Sequence, residues 1–402
     1  MNAKSYFITL FAGILLCACD SDSDSTVKNE RKDIVLSDTE IQIINQQNKR
    51  AYNMLKYLNK HSENANFVVS PLSAQFSLGM LANGAKENTL TELTNVLCVS
   101  SPNEINALSH KLLKELPSAD KCVNFACANS LWINDGKEVF TDYSNLLSDY
   151  YNAETINIDL STDKAIKEIN RWCSSKTNGM IDNIAVKPYP AEIWGVLINS
   201  LYFKGDWKTP FPPKNTTRKE FLNANGSVSQ VDMMGNELML PYHKADCYSF
   251  AKLHYGNEAF VMTILLPDEG ESLTSAIESY SSQSSTTSPK MCNLSLPRFK
   301  INTKIILNDY LQHIGIKDVF DAERSNLSGM SPNEARIDHI QHSAMIEVNE
   351  KGTEAAAITN TGMSTSPGPS EKVTFNVNRP FIFIIEENST GTVLFIGRIT
   401  EL

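Results

Sequence analysis

Apolar residues recur at helical spacing behind a helix-start signal near the front of the chain. Residues 37–40 read Ser-Asp-Thr-Glu, the pattern of a capping box, in which a serine and a glutamate each satisfy one free backbone amide. The apolar positions that follow share one helical face: Ile44, Ala51, Met54, Leu55 and Leu58. This spacing predicts a long first helix.

A second helix start stands at Ser70-Pro71, with serine as the cap and proline in the first turn. Its predicted buried stripe consists of Leu72, Phe76 and Met80. Asn-Gly at residues 83–84 is a typical helix end. Helical spacing continues over residues 90–97, 104–113 and 163–174.

From residue 195 onward, apolar runs of strand length dominate the pattern. Residues 195–203, 260–266 and 372–377 are candidate strands. The last two runs, 381–387 and 392–399, flank the turn sequence Asn-Ser-Thr-Gly and predict a buried hairpin. The Ser/Thr-rich residues 281–289 predict a surface loop. Helices in front and long strands behind predict an α+β fold.

The first 36 residues read as a targeting segment and a tether. Lys4 precedes an apolar stretch at 7–17, which is too short to span a membrane and runs into Leu-Cys-Ala-Cys at 16–19. This ending resembles a bacterial lipobox, with cleavage after Ala18 and lipid on Cys19; the alternative is a simple secretory signal with an incidental cysteine. We expect a lipoprotein signal peptide at 1–18, an acidic flexible tether at 19–36, and an exported protein held by lipid at the outer membrane or cell surface.

Charge and cysteine spacing narrow the possible partners. The net charge is −10, and no run rich in Lys and Arg follows residue 50, so we expect no nucleic-acid partner. The other six cysteines form no CxxC pair, and the histidines show no ligand spacing near them, so we expect no metal and no cofactor. Export permits a Cys122–Cys127 disulfide. Scattered buried thiols are the preferred interpretation.

Motifs for catalysis are missing from the sequence. We find no GxSxG, HExxH, P-loop or GxGxxG pattern, and residues 362–366 only approach a nucleophile elbow. We therefore expect a protein that is not an enzyme. A hydrolase whose triad assembles only in space stays an alternative, which peptidase and esterase assays would test.

Residues 346–380 form the most unusual segment of the chain. A strand pattern at 345–348 runs into Gly352, then small residues, and then a tip with prolines at 367 and 369. Every second position from 353 to 363 is uncharged, and all of these except Met363 are small. No proline occurs from 343 to 366, so this part can join a sheet ladder, and one of its faces suits burial. A loop of this length is usually functional or disordered.

The segment Glu-Lys-Gly-Thr-Glu-Ala-Ala-Ala at 350–357 resembles the reactive-loop hinge of an inhibitory serpin. Seven further motifs occur in serpin order, at 66–85, 199–211, 231–234, 265–267, 296–299, 314–316 and 378–381. The motif at 231–234 has Asp232 where the family has proline. The resemblance covers residues 37–402. It implies a serpin domain of about nine helices and three β-sheets, with an exposed reactive-centre loop at about 350–371.

What this resemblance implies is a suicide substrate. A serine endopeptidase, or by extension a cysteine endopeptidase, attacks the loop, and the cut loop enters the central sheet and traps the enzyme as a covalent acyl complex. We expect a monomer whose partner is that protease. The hinge residues that the resemblance implies are Glu350, Gly352, Thr353, Glu354, Ala355, Ala356 and Ala357. The alternative is a non-inhibitory serpin that binds or carries a ligand, although such members tend to have bulky, charged or proline residues in the hinge.

The position of the scissile bond is expected from its distance in residues, in serpins, from the hinge and from the motif that follows the loop. Counting from Glu350 reaches Ser366, but a bond to Pro367 is a poor protease substrate, so Thr365–Ser366 is favoured and Met363–Ser364 is second. Counting back from the motif at 378–381 points nearer residue 369. No Lys or Arg lies between 352 and 371, which favours elastase-like or subtilisin-like targets over trypsin-like ones.

Two further groups of residues carry over from the family. A polar set beneath the sheet, the sheet-opening cluster, comprises Ser70, Ser73, Asn199 and His342. An insertion-point group comprises Arg298 and Glu350 as an ion pair, with Trp207 as the aromatic nearby. The resemblance implies that both groups control when the sheet opens. From the residues alone, Ser70 is a helix cap and His342 an ordinary strand histidine.

Overall fold

Eight α-helices form in the part of the chain that the computed structural model describes, which is residues 29–63, 65–181, 183–280, 287–333, 335–352 and 372–402. In chain order they are α1 (Asp38–His61), α2 (Pro71–Gly84), α3 (Glu87–Leu97), α4 (Pro102–Glu115), α5 (Thr141–Tyr151), α6 (Asp163–Lys176), α7 (Leu273–Ser279) and α8 (Asn308–His313). The sequence predicted α1 to α4 and α6. It missed α5.

The predicted helix starts are present in atomic detail. The Ser37 hydroxyl accepts from the Glu40 backbone amide at 3.3 Å, and the Glu40 carboxylate accepts from the Ser37 amide at 2.7 Å. Ser70 caps α2 by accepting from the amide of Ser73. Every residue of α2 except Pro71 and Asn83 is buried, because the helix packs against strands of both sheets.

A five-stranded sheet lies over α2. Its order is β10-β11-β4-β2-β3, and all pairs are antiparallel except β11–β4 and β2–β3. The strands span Val123–Asn134 (β2), Ala153–Ile158 (β3), Gly195–Gly205 (β4), Phe299–Ile306 (β10) and Ile337–Val348 (β11). The sequence predicted β4 and the end of β11 at 345–348 but missed β2, β3 and β10.

The remaining strands form a nine-stranded sheet. They are β1 (Phe67–Val69), β5 (Thr217–Leu222), β6 (Val228–Lys244), β7 (Tyr248–His254), β8 (Phe260–Pro267), β9 (Ser288–Pro297), β12 (Val373–Asn376), β13 (Phe381–Glu387) and β14 (Val393–Ile399). Strand β6 pairs with β5 and β9 along most of its length and with β7 near its end. Strand β6 thereby joins β5, β9 and β12 to the strands β7, β8, β13, β14 and β1. Two of the three expected sheets are thus continuous through β6. The hairpin β13–β14 is confirmed.

Several sequence-based expectations fall on residues that the structure does not describe. These are the signal peptide, Cys19, the first part of the tether, residues 281–286 of the predicted surface loop, and residues 353–371. The end of that surface loop is corrected, because β9 begins at Ser288. Cys122 and Cys127 are both free thiols and form no disulfide with each other; of the six cysteines from Cys98 to Cys292, Cys173 and Cys292 are buried and the other four are partly exposed. Within the described residues, no helix is long and apolar enough to cross a membrane.

Candidate functional site: the centre and upper end of the five-stranded sheet

Strands β4 and β11 pair directly and in parallel at the centre of the five-stranded sheet. Their register places His342 beside Asn199 and Met345 beside Tyr202. The chain leaves β11 at Val348, and the next described strand after it, β12, belongs to the other sheet. A strand folded back from the end of β11 would therefore be antiparallel to both β11 and β4.

Three polar residues lie side by side on the strands at this centre. His342 of β11 is beside Asn199 of β4, and Asn199 is beside Asn129 of β2. All three are almost fully buried, as are Ser70 and Ser73 at the start of α2. The five residues form one buried polar group between the sheet and the helix.

Hydrogen bonds connect the members of this group. The Ser70 amide donates to Nε2 of His342 at 3.0 Å, so this nitrogen is the acceptor, and Nδ1 faces the Ser73 hydroxyl at 3.0 Å. The Ser73 hydroxyl donates to the Asn199 side-chain oxygen, and the Asn199 amide donates to the Asn129 oxygen. Burial lowers the pKa of His342 to about 4, so the imidazole is neutral at pH 7.

The polar group extends beyond the residues that the sequence indicated. Asn129 donates to the backbone oxygen of Tyr151 at 2.7 Å, and the Tyr151 hydroxyl donates to Asn106 at 2.6 Å. Asn106 and Asn83 are joined by amide hydrogen bonds of 2.8 Å. Nothing in the sequence places these residues in one group, because their proximity depends on the β2–β4 register and on the packing of α4 and α5.

An ion pair between a buried carboxylate and a partly exposed arginine lies just past the end of β11. Arg298 donates through Nε to both oxygens of Glu350, at 2.8 and 2.7 Å, and the Thr216 hydroxyl donates to the same carboxylate at 2.5 Å. The Glu350 side chain is 7% exposed and that of Arg298 is 45% exposed. Burial raises the pKa of Glu350, but the hydrogen bonds from Arg298 and Thr216 outweigh burial and hold that pKa below its ordinary value.

Trp207 fixes the backbone of the same segment. Its amide donates to the oxygen of Lys351 at 2.8 Å, and its indole Nε1 donates to the oxygen of Asn349 at 3.0 Å. The indole is buried and stacks on Tyr255, with ring centres 4.4 Å apart. The segment 349–352 is therefore held against the chain that follows β4.

Gly352 is the last residue that the structure describes before the gap at 353–371. It bridges to Asp206, exchanges backbone hydrogen bonds with Asn349 and has φ +127°. A Cβ atom here would lie 2.2 Å from the Gly205 oxygen and 2.6 Å from the Asp206 Cα. Only glycine fits this conformation and this close approach.

Comparison with known proteins gives the family of this fold and site. The family model described as "Serpin (serine protease inhibitor)" matches residues 45–402. The chain belongs to the serpin family. The serine protease inhibitor of Cyanea capillata is 32% identical to this serpin over 359 residues, which is 84% of this chain and 92% of that protein. The leukocyte elastase inhibitor of Equus caballus is 29% identical over 369 residues, covering 87% of this chain and 97% of that one.

The solved structures agree on the architecture of the serpin domain. The native structure of tengpin, a thermophilic serpin, superposes with a TM-score of 0.81 at 28% sequence identity, covering 93% of this chain and 97% of that chain. The α+β serpin fold expected from the motifs is therefore confirmed.

The structure brings together each of the two groups expected by resemblance to serpins. The sheet-opening cluster is connected through Ser70, Ser73, Asn199 and His342, and the insertion-point group meets at Arg298, Glu350 and Trp207. The two groups are eight residues apart along the chain from His342 to Glu350, about 26 Å for extended chain at ~3.3 Å per residue. The hinge residues Thr353, Glu354, Ala355, Ala356 and Ala357 and the bond candidates Met363, Ser364, Thr365 and Ser366 lie outside the described residues.

Proposed function

We propose that this serpin inhibits endopeptidases by inserting its cleaved loop between β4 and β11. The observation that carries the proposal is the direct parallel pairing of these two strands, with β11 leading into the loop. Insertion would replace one parallel pair by two antiparallel pairs, and antiparallel ladders are slightly more stable per residue. Each new ladder hydrogen bond adds roughly 1 kcal/mol.

Both ends of the loop are anchored before cleavage. At one end, Glu350 and Gly352 are held by Arg298, Trp207 and Asp206. At the other end, β12 pairs with β9, with Val373 beside Cys292. Cleavage near Thr365 frees the first part of the loop from the second anchor. The freed part, with the protease attached as an acyl enzyme, then enters the sheet.

The alternation of the loop supports insertion over a carrier role. Thr353, Ala355 and Ala357 would lie on one face of an extended strand, a face of small, uncharged residues, and Glu354 would lie on the other face. The first face would point into the protein interior beneath the sheet, where a charge is costly. A binding module has no need for such a face.

The proposed targets are elastase-like or subtilisin-like serine endopeptidases. The loop offers Thr365 or Met363 before the cut and contains no Lys or Arg between 352 and 371. The similarity to a leukocyte elastase inhibitor agrees with this class. We also propose that the mature protein is a monomer anchored by lipid on Cys19 at the outer membrane or cell surface.

A protease panel tests the proposal directly. The serpin is incubated with an elastase, a subtilisin and, as a negative control, trypsin, and the products are separated on denaturing gels. We expect a complex that survives denaturation with one of the first two enzymes. Mass spectrometry of the released C-terminal fragment then identifies the scissile bond.

A matched pair of variants tests the insertion step. Thr353→Arg puts a positive charge on the face of the inserted strand that points inward, so the loop should be cleaved with little or no complex formed. Glu354→Arg puts the same charge on the outward face and should still trap the protease. The proposal is wrong if wild type is cut without forming a complex, or if both variants trap equally well.

A further inference from the structure

The segment before α1 lies against the protein instead of projecting from it. Ile34 is 6% exposed, and its amide donates to the Ser389 hydroxyl at 2.9 Å. Lys111 donates to the backbone oxygen of Val35 at 3.2 Å. These contacts join residues far apart in sequence, so residues 29–36, which we name the N-terminal latch, have a defined position.

Asn29 makes the densest contacts of the latch. Its side-chain amide donates to the Asp120 carboxylate at 2.7 Å and to the Cys122 sulfur at 3.3 Å. Its side-chain oxygen accepts from the Lys121 amide at 3.1 Å and from the Asn257 side chain at 3.3 Å. One side chain thereby connects two loops, 119–122 and 256–258.

Arg31 adds a second connection to the loop at 256–258. Its guanidinium donates to the Glu258 backbone oxygen at 3.2 Å. The Glu258 carboxylate in turn pairs with Lys208 at 2.5 Å. Lys208 directly follows Trp207, so Arg31 also reaches the chain that holds the insertion point.

The two loops that Asn29 connects hold Asp206 in place. The Asp206 amide donates to the Cys122 oxygen at 3.1 Å, and the Asp206 oxygen accepts from the Gly256 amide at 2.8 Å. Asp120 ties the loops to each other by accepting from the Asn257 amide at 2.8 Å. Asp206 is the residue to which Gly352 bridges at the base of the loop. Contacts therefore run from Asn29 through the two loops to the hinge.

We propose that the N-terminal latch is a regulatory element that slows release of the hinge. For the loop to enter the sheet, Gly352 must leave Asp206 and β4 must separate from β11. Asp206 moves less readily while the loops at 119–122 and 256–258 are joined by Asn29. Displacement of the latch, by proteolysis of the tether or by a partner that binds it, speeds insertion. The predicted effect on loop insertion rests on the proposed function, whereas the coupling between Asn29 and Asp206 does not.

The test compares Asn29→Ala in the full chain with Glu30→Ala and Lys32→Ala, which change exposed neighbouring residues. The first readout is the rate at which uncleaved protein loses its ability to trap protease and gains heat resistance at a fixed temperature below unfolding. Loss of one hydrogen bond changes such a rate about fivefold. We expect Asn29→Ala to convert at least fivefold faster than wild type, and both controls to match wild type.

Asn29→Asp is a stronger variant, because it places a carboxylate against Asp120, and it should convert faster than Asn29→Ala. The second readout, hydrogen exchange at the Asp206 and Gly256 amides, does not depend on inhibition. Faster exchange in Asn29→Ala but not in the controls supports the coupling even if no protease is trapped. Unchanged exchange and unchanged conversion in both Asn29 variants would overturn the latch and leave the proposed function intact.

Discussion

Replacing Gly352 by alanine should lower the free energy of unfolding of the uncleaved protein much more than that of the loop-cleaved protein. A residue other than glycine at φ +127° costs roughly 1–3 kcal/mol in backbone conformation. The new methyl group would also lie 2.2 Å from the Gly205 oxygen, and a backbone atom cannot move aside as a flexible side chain does. We therefore expect the hinge to detach from Asp206 instead of absorbing the strain.

The size of the effect follows from the contacts that detachment breaks. Gly352 exchanges two backbone hydrogen bonds with Asn349, at 2.9 and 3.2 Å, and bridges to Asp206. At about 1 kcal/mol each, their loss lowers the free energy of unfolding of the uncleaved form by about 2–3 kcal/mol. In an inserted strand, residue 352 would be extended, a conformation that alanine adopts freely. The cleaved form should therefore lose little.

Urea unfolding of the uncleaved and loop-cleaved proteins, each with and without Gly352→Ala, measures this difference. Gly136→Ala is the matched control, since Gly136 has φ +76° but nothing within 4 Å of the added methyl group. It should destabilise both forms equally, by about 1 kcal/mol. If Gly352→Ala lowers the stability of both forms equally, or of neither, the hinge is not held in a glycine-only conformation that insertion releases.

Three further predictions concern stability. The pKa of His342 is lowered to about 4 in the folded protein, so below the ordinary histidine pKa of about 6.5 the unfolded chain binds a proton at this residue more readily than the folded one does. The free energy of unfolding should therefore be at its full value above pH 6.5 and fall by about 3 kcal/mol toward pH 4. His342→Gln should remove this part of the pH dependence, as measured by urea unfolding at a series of pH values. Arg298→Met should raise the pKa of Glu350 and lower stability at pH 7 by about 1–2 kcal/mol, discounted for the exposure of Arg298, with Lys300→Met as a surface control that leaves thermal unfolding unchanged. Cleavage within residues 363–366 should raise the melting temperature well above that of uncleaved protein; an unchanged melting temperature would contradict stored energy in the closed sheet.

The sequence predicted elements whose signals are local. The capping box at residues 37–40 and the Ser-Pro start of α2 depend on neighbouring residues, and both have the expected geometry. The hairpin β13–β14 follows from two apolar runs around one turn. Strand β2 was missed because Asn124 and Asn129 interrupt its apolar run, which ends at Asn134. Asn129 in fact faces other polar residues across the sheet.

The site was predictable only in part, for the same reason. Motifs shared with serpins indicated His342, Asn199 and the Arg298–Glu350 pair, and each occupies the expected neighbourhood. The roles of Asn129 and Asp206 depend on strand register and on which loops meet above the sheet. No spacing within one sequence contains that information.

The buried polar row across β11, β4 and β2 has a consequence for how long the protein lasts before use. An apolar layer tolerates gradual sliding, because dispersion contacts weaken by degrees. His342 and Asn199 tolerate it poorly, because a donor or acceptor separated from its partner in a dry interior costs several kilocalories per mole at once. Separation of β4 from β11 thus meets a single abrupt barrier. The lifetime of the uncleaved form, before its sheet opens, depends on the height of that barrier far more than on the overall stability of the fold.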